Sequence, residues 1–265
     1  MKEKDRPTVG VFDSGVGGLT VLGECVRRIP GAEFLYLGDN ARAPYGSRPP
    51  EEILSFVREA LAEFERRGVN AALLACNTAT AVAADRVRKE FPFPIVGTEP
   101  AVAPAARACG NVLILCTPRT AESARLSALV ARFPQTRFTV YPAPRLAGEI
   151  ERSLTCGKSL TLSDHLPRGN FDGVVLGCTH YVFFRDEIAS FYRAPVFDGN
   201  IGTAMRLRAL LSLKNIGTDD HLCPEQNPNK CLTKKYSFRQ NMGVFFLGRG
   251  AKINRKVFFS NVCFI

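Results

Sequence analysis

The feature that most restricts the fold of this chain is an alternation of buried strands and helices. Residues 9–12 and 71–75 are apolar at every position, which is typical of parallel strands covered by helices on both faces. Residues 34–37 form a third run of this kind. Helical spacing of apolar residues over 19–29 and 50–67 separates the runs, so the first hundred residues predict a β-α-β-α-β order.

The same order begins again after Pro100. The second stretch predicts strands at residues 111–115, 138–141 and 173–177. It predicts helices at residues 101–108, 120–132, 145–154, 184–191 and 205–213, with Thr120 as the cap of the second of these helices. Beyond Asn215 the periodicity is lost until residues 243–247.

The two stretches are similar to each other at a nearly constant separation. VGVFDSG begins at Val9 and VLILCTP begins at Val112, which places Asp13 and Cys116 103 residues apart, while Cys76 and Cys178 are 102 apart. The repeat predicts a duplicated unit and an α/β fold of two pseudo-symmetric domains. Each domain is a mainly parallel sheet flanked by helices, with the active site in the cleft between them. We expect residues 1–97 plus 208–265 in the first domain and 98–207 in the second.

The composition is that of an ordinary globular protein, with 46% apolar and 23% charged residues. The amino terminus has no apolar export signal, and no apolar run approaches the ~20 residues of a membrane-spanning helix. We therefore expect a cytoplasmic protein without a membrane partner, and we expect its nine cysteines to be reduced.

The net charge of +10 is concentrated at one end of the chain. Residues 229–265 contain eight Lys and Arg and no Asp or Glu, while the rest is close to neutral. A solvated basic tail is favoured over a nucleic-acid site, because no aromatic-interleaved binding motif accompanies the charge. His221, Cys223 and Cys231 match no zinc spacing, and His165 is typical of a loop, so no metal site is predicted.

Two cysteines follow predicted strands in equivalent positions of the repeat. Cys76 follows residues 71–75 and Cys178 follows 173–177, and each precedes a polar pair, Asn77-Thr78 or Thr179-His180. Helix amino termini there would lower a thiol pKa and bind a carboxylate. Either cysteine alone would be interpreted as an inert core thiol, but two in register favour catalysis.

Two thiols on opposite sides of a cleft suit one class of reaction. Inverting a stereocentre removes a proton from one face of a carbon and delivers a proton to the other face, so that an acid and a base must flank the carbon. One thiolate and one thiol can do this. The sequence therefore predicts proton transfer by Cys76 and Cys178.

Two further loops follow predicted strands. Asp13 and Ser14 end the first strand, and the glycines after them match neither the dinucleotide fingerprint nor a Walker loop, which predicts close backbone approach to a small ligand. The loop GDNARAPYGSRPPEEI follows the second strand. Its Tyr45 either packs in a turn or contacts a ligand, and the position at a strand end favours ligand contact.

Five motifs occur in a fixed order along the chain: DSGVGG, DNARAPYG, ACNTAT, GTEPA and GCTHY. Through these motifs the chain resembles the glutamate racemases of the cofactor-independent aspartate/glutamate racemase family over residues 8–203. The resemblance implies two pseudo-symmetric α/β domains, a homodimer, no pyridoxal phosphate and no metal. It also implies interconversion of L- and D-glutamate, with D-glutamate supplied to peptidoglycan synthesis.

The resemblance implies roles for individual residues as well. Cys76 would be the base toward D-glutamate and Cys178 toward L-glutamate, assisted by Asp13 and His180 respectively. The substrate would be held by Asp13, Ser14, Tyr45, Gly46, Asn77, Thr78, Thr117, Thr120, Thr179 and His180. A carboxylate near the second cysteine maps onto Glu151, with Glu149 as the alternative.

Two other readings stay open at this point. A related racemase or decarboxylase could use the same two cysteines on aspartate, hydantoins or arylmalonates. A nucleic-acid-associated binder could use the basic C-terminal segment, with or without catalysis.

Overall fold

The structure, a computed structural model, describes residues 6–211 and the backbone of Val262–Phe264. It contains nine strands in this part of the chain: β1 (Thr8–Asp13), β2 (Glu33–Gly38), β3 (Ala71–Leu74), β4 (Ile95–Gly97), β5 (Asn111–Cys116), β6 (Arg137–Pro142), β7 (Gly173–Gly177), β8 (Val196–Asp198) and β9 (Val262–Phe264). All of the strand pairings are parallel.

The described α-helices cover the sheets: α1 (Gly18–Arg28), α2 (Pro50–Arg66), α3 (Asn77–Val87), α4 (Val102–Ala108), α5 (Pro118–Ala121), α6 (Ala124–Ala131), α7 (Leu146–Cys156), α8 (Arg185–Tyr192) and α9 (Asn200–Leu210). Short 3₁₀ helices occur at Leu162–His165 and Thr179–Phe184. None of the helices in the described residues is long and apolar enough to cross a membrane.

The two sheets have the same topology, which confirms the predicted α/β fold of two similar halves. The first sheet has the order β4-β3-β1-β2-β9 and the second has the order β6-β5-β7-β8. When β5, β6, β7 and β8 are matched with β1, β2, β3 and β4 respectively, the four matched strands have the same spatial order in both sheets. The register matches too. Phe12 pairs with Leu74 in the first sheet, and their counterparts about one repeat later in the chain, Leu115 and Leu176, pair in the second sheet. We call the units around these sheets the first and second halves.

Strands β3 and β7 are buried at every position, as their unbroken apolar runs predicted. Apolar clusters lie on both faces of each sheet. Helix α2 shows how a helix covers a face, because it buries Ile53, Leu54, Val57, Leu61 and Phe64 along one side. Complete burial of the strands leaves only their ends for polar chemistry.

The helix predicted over residues 120–132 was wrong in two respects. The chain forms two helices there, and Thr120 caps neither of them. The Thr117 side chain caps α5 by accepting from the Thr120 N–H at 3.3 Å, and the Ser123 hydroxyl caps α6 by accepting from the Leu126 N–H at 3.2 Å. A second N-cap serine within the apolar pattern starts a new helix, because its side chain satisfies the next free backbone N–H groups.

The last described helix begins five residues before the predicted start at Met205. Helix α9 starts at Asn200, where the backbone N–H donates to Asp198 Oδ1 at 3.0 Å. Its residues Ala204 and Leu207 pack in the apolar cluster of the first sheet. We therefore propose that the chain returns to the first half at the start of α9, and not inside it at residue 208. The boundary at residue 97 stays a prediction.

Strand β9 extends the first sheet beside β2, and the sequence did not predict it. Its few residues follow a long stretch without periodicity, so no local pattern indicated a strand. The predictions for residues 243–247, the basic segment, His221, Cys223 and Cys231 lie outside the described residues, while His165 ends a short 3₁₀ helix.

Candidate active site

The cysteines of the repeat lie at equivalent positions of the two sheets. Cys76 follows β3 after one intervening residue, and Cys178 directly follows β7. Parallel strands end at the same edge of a sheet, so Asp13 at the end of β1 lies near the first cysteine and Cys116 ends β5 near the second. Both Cys76 and Cys178 line one pocket between the halves.

Ten of the thirteen residues that the sequence singled out for the site line this pocket. Its lining consists of Ser14, Pro44, Tyr45, Gly46, Cys76, Asn77, Thr78, Thr117, Ala147, Cys178, Thr179 and His180. Pro44 and Ala147 were not predicted, and the other three predicted residues, Asp13, Thr120 and Glu151, lie behind the lining. The pocket has room for roughly one water molecule.

Cys76 is held at the amino end of α3. Its sulfur accepts from the Ala79 N–H at 3.4 Å and lies 3.5 Å from Ser14 Oγ. Burial, with a further contribution from the nearby Asp13 carboxyl group, raises the pKa of Cys76 to about 12. The hydrogen bond from the helix amino terminus does lower this pKa, as expected, but together with the contact to Ser14 it offsets only part of the cost of burying a thiolate. Cys76 is a thiol at neutral pH.

Cys178 lies beside the imidazole of His180. Its sulfur is 3.8 Å from Nδ1 of His180, which is almost completely buried. Burial alone lowers the pKa of His180, but hydrogen bonds with Cys178 and Glu151 outweigh burial and hold this pKa well above its ordinary value. The Cys178 sulfur therefore lies beside an imidazole that holds a proton more readily than an ordinary histidine does.

The structure places Glu151, and not Glu149, next to this pair. Glu151 Oε2 forms a short hydrogen bond with His180 Nε2. Glu149 instead pairs with Arg152 at 2.6 Å on the outer face of α7, where Arg152 is exposed and Glu149 is partly exposed to solvent. The two glutamates are two positions apart on the helix, and so they lie on different faces of it.

Asp13 is completely buried below the pocket. Its Oδ2 accepts from the Gly15 N–H at 2.9 Å, and its Oδ1 accepts from the Thr179 hydroxyl at 3.4 Å. Burial raises the pKa of Asp13, and the positive charge of His180 opposes this rise. Asp13 therefore contacts the polar pair of the opposite half, and not the space that a ligand would occupy.

Tyr45 is almost completely buried and belongs to the lining of the pocket. Its hydroxyl forms a short hydrogen bond with Asp39, and Arg42 pairs with the same carboxylate at 2.6 Å. The hydroxyl of Tyr45 therefore anchors the loop, while contact of Tyr45 with a ligand stays a prediction that its place in the pocket lining allows. Gly46 holds the loop to the second half, because its carbonyl accepts from the Arg119 N–H at 3.1 Å.

Three threonine hydroxyls form a chain across the halves. Thr78 Oγ1 lies 2.9 Å from Thr117 Oγ1, and Thr117 donates to Thr120 Oγ1 at 3.0 Å. Thr78 and Thr117 line the pocket, while Thr120 lies behind them and lines a second, adjacent cavity. Any effect of Thr120 on the pocket therefore passes through Thr117.

The glycines after Asp13 leave room for side chains of the second half, whereas the sequence predicted a close approach of the backbone to a ligand. A methyl group at Gly17 would lie 2.4 Å from Thr179 Oγ1 and 2.5 Å from His180 Nδ1. One at Gly15 would lie 2.6 Å from Glu151 Oε2. These distances are too short for contacts between real atoms. The loop has glycines at these positions because side chains of the second half occupy the space that a Cβ atom would need.

Sequence reasoning missed three polar residues around the site. Asn40 donates to Glu151, Asp39 anchors the Tyr45 loop, and the Tyr36 hydroxyl donates to the Gly15 carbonyl at 2.8 Å. Asp39 and Asn40 directly follow the end of β2, which is the same strand-end signal that identified Asp13. Tyr36 lies within the strand, and nothing in its local sequence indicated a polar role.

The fold and pocket together define an enzyme with two matched α/β halves, each of which supplies one thiol to a closed polar pocket between them. The model of the Asp/Glu/Hydantoin racemase family matches residues 17–206. The chain belongs to this family, and it is an isomerase of the racemase type.

Relatives over most of the chain are glutamate racemases. The enzyme of Clostridium botulinum strain Alaska E43 is 36% identical over 232 residues, which are 83% of this chain and 90% of the relative. That of Bifidobacterium animalis subsp. lactis is 37% identical and covers 77% of this chain and 84% of its own. The solved glutamate racemase of Escherichia coli, in complex with L-glutamate and the activator UDP-MurNAc-Ala, has a TM-score of 0.72 at 32% identity, and covers 78% of this chain and 83% of its own.

Proposed function

We propose that this racemase interconverts L- and D-glutamate by two-base proton transfer between the α-carbon and the thiols of Cys76 and Cys178. The observation that carries the proposal is the single pocket to which equivalent strand ends of the two halves each supply one cysteine. Glutamate as substrate is supported by the curated relatives, which are glutamate racemases at 36–37% identity.

The two cysteines have different surroundings, which suits complementary roles. Cys76 carries its proton because its pKa is raised to about 12, while Nδ1 of His180 lies 3.8 Å from the Cys178 sulfur, where the imidazole can hold the proton that this sulfur gives up. Cys178 is then the base toward L-glutamate. The Cys178 thiolate removes the α-proton and becomes a thiol, and Cys76 delivers its own proton to the opposite face and becomes a thiolate. The reverse sequence converts D-glutamate.

The developing carbanion needs stabilisation by fixed dipoles in a dry site. The backbone N–H groups at the start of α3 and of the 3₁₀ helix Thr179–Phe184 point toward the pocket end of the sheets, where they can bind a substrate carboxylate. Ser14, Asn77, Thr78, Thr117 and Thr179 supply further polar contacts in the lining. Because the pocket is narrow, we propose that the halves separate to admit the amino acid.

Purified protein without added cofactor should racemise both glutamate enantiomers, as followed by circular dichroism or chiral chromatography. Cys76→Ser and Cys178→Ser should each lower kcat by roughly a thousandfold or more while the fold is retained, because a serine hydroxyl is a far weaker base than a thiolate. Chelator should leave the wild-type rate unchanged. Wild-type rates in both serine variants would refute the mechanism.

The substrate is tested separately from the mechanism. Aspartate, hydantoins and arylmalonates define the alternatives that the same two-cysteine architecture could serve, so a panel of these compounds is assayed beside glutamate. Preference for one of them over glutamate would leave the two-base chemistry in place and correct the substrate. Consumption of D-glutamate by peptidoglycan synthesis is part of the same proposal.

Three further features stay predictions: a homodimer, a cytoplasmic location and the lack of a nucleic-acid partner. Light scattering of the purified protein measures its molar mass in solution and so tests the homodimer. Sequence-selective binding of nucleic acid that persists at raised salt would contradict the third prediction, whereas binding lost at modest salt would indicate simple charge attraction.

A further inference from the structure

The carboxylate of Glu151 is held from both halves of the molecule. Glu151 lies on α7 in the second half, yet Asn40 Nδ2 from the first half donates to its Oε1 at 2.8 Å. The Val16 N–H, also from the first half, donates to its Oε2 at 3.2 Å. Its remaining contact is with His180 of its own half. The position of this carboxylate therefore depends on how the halves meet.

The amide of Asn40 is itself fixed in place. It lies directly after β2, where a methyl group at Gly38 would be 2.9 Å from Asn40 Oδ1. The bare Gly38 therefore leaves room for the amide oxygen, while the NH₂ group faces Glu151. From there a chain of hydrogen bonds runs through His180 to the sulfur of Cys178.

We infer that Asn40 is a positioning residue, which aligns Glu151 and His180 with Cys178 when the two halves close. Its contacts do not reach Cys76, whose sulfur forms hydrogen bonds with Ala79 and Ser14. Asn40 should thus act on proton transfer at one sulfur only. This inference rests on the proposed two-base racemisation.

Action at one sulfur has a kinetic signature. Racemisation has an equilibrium constant of one, so a variant loses kcat/KM equally in both directions, whichever step is slowed. Isotope effects separate the steps. With α-deuterated L-glutamate the label is transferred to Cys178, whereas with α-deuterated D-glutamate it is transferred to Cys76. Slower proton transfer at Cys178 raises the isotope effect measured with labelled L-glutamate and lowers the isotope effect measured with labelled D-glutamate.

The experiment compares Asn40→Ala with Asn70→Ala. Asn70 is a matched control in the first half, since its Oδ1 accepts from the Thr8 N–H at 2.7 Å away from the pocket. Asn40→Ala should lower kcat/KM roughly tenfold or more, as expected for loss of a hydrogen bond to a charged group. Its isotope effect should rise with labelled L-glutamate and fall with labelled D-glutamate. Asn70→Ala should change neither.

A second variant, Asn40→Asp, keeps the side-chain size and serves if the alanine variant fails to fold. It places a carboxylate against Glu151 and should give the same opposite shifts with a larger loss of rate. Unchanged isotope effects, or equal shifts for both enantiomers, in the folded variants would overturn the positioning role. Lack of racemisation by the wild type would instead overturn the proposed function.

Discussion

At the scale of single residues, the two thiols are chemically different although their places in the fold are equivalent. Cys76 and Cys178 are 5% and 6% exposed, so access alone does not distinguish them. Their surroundings do, because a carboxyl group lies near the first and the imidazole of His180 contacts the second. This difference in surroundings fits the proposed roles of Cys76 as acid and Cys178 as base toward L-glutamate.

The raised pKa of Cys76 is measurable by alkylation, since iodoacetamide reacts with thiolates. At pH 7 we expect Cys76 to be labelled at least roughly tenfold more slowly than a free cysteine in solution, because each unit of pKa changes the thiolate fraction about tenfold. Labelling of Cys76 should continue to accelerate above pH 9, toward its pKa of about 12. Peptide mass spectrometry of timed samples gives the rate at each pH. A rate at Cys76 that stops rising below pH 9 would contradict the raised pKa.

At the scale of elements, helix α7 presents two glutamates to two different environments. Glu151 faces His180 and the first half, while Glu149 faces solvent and Arg152. Helical periodicity separates their roles, although they are nearly adjacent in sequence.

Substitution of the two glutamates uses this contrast. Glu151→Gln should lower kcat/KM roughly 10- to 100-fold, because it removes the negative charge that helps to hold the proton on His180. Glu149→Gln breaks only an exposed ion pair, so its kcat/KM should stay within about twofold of the wild type. Both variants should unfold at similar temperatures. Greater loss in the Glu149 variant would contradict the placement of α7.

The longer strands and the residues at their ends were predictable from this sequence, whereas the three-residue strands β4, β8 and β9 and the contacts between the halves were not. The apolar run of β3 and the repeat located Cys76 and Cys178, because burial on both faces leaves a strong local pattern. The partners of Gly17 and Asn40 lie more than a hundred residues away in the chain, and no local pattern encodes such contacts. The break of the predicted helix at Ser123 does have a local signal, which is the N-cap serine itself. The apolar spacing continues across this serine and therefore predicted a single helix.

At the scale of the whole molecule, the site exists only where the halves meet. Thr78 contacts Thr117, Gly17 admits His180, and Asn40 binds Glu151, each across the same boundary. Ion pairs link the halves elsewhere as well, since Arg125 on α6 contacts Asp85 on α3 at 3.1 Å. The proposed closure of the halves would thus assemble the pocket and exclude water in one movement, and the loss of water would strengthen electrostatic interactions within it.

The central claim is that two groups on opposite faces of the α-carbon share the reaction, and deuterium incorporation from D₂O tests it most directly. Each glutamate enantiomer is incubated separately with the enzyme, and label at the α-carbon is measured early in the reaction for product and for recovered substrate. Two bases predict a product that is almost fully labelled and a substrate that is almost unlabelled, in both directions. Equal labelling of substrate and product would show that a single base serves both faces, and would contradict the account.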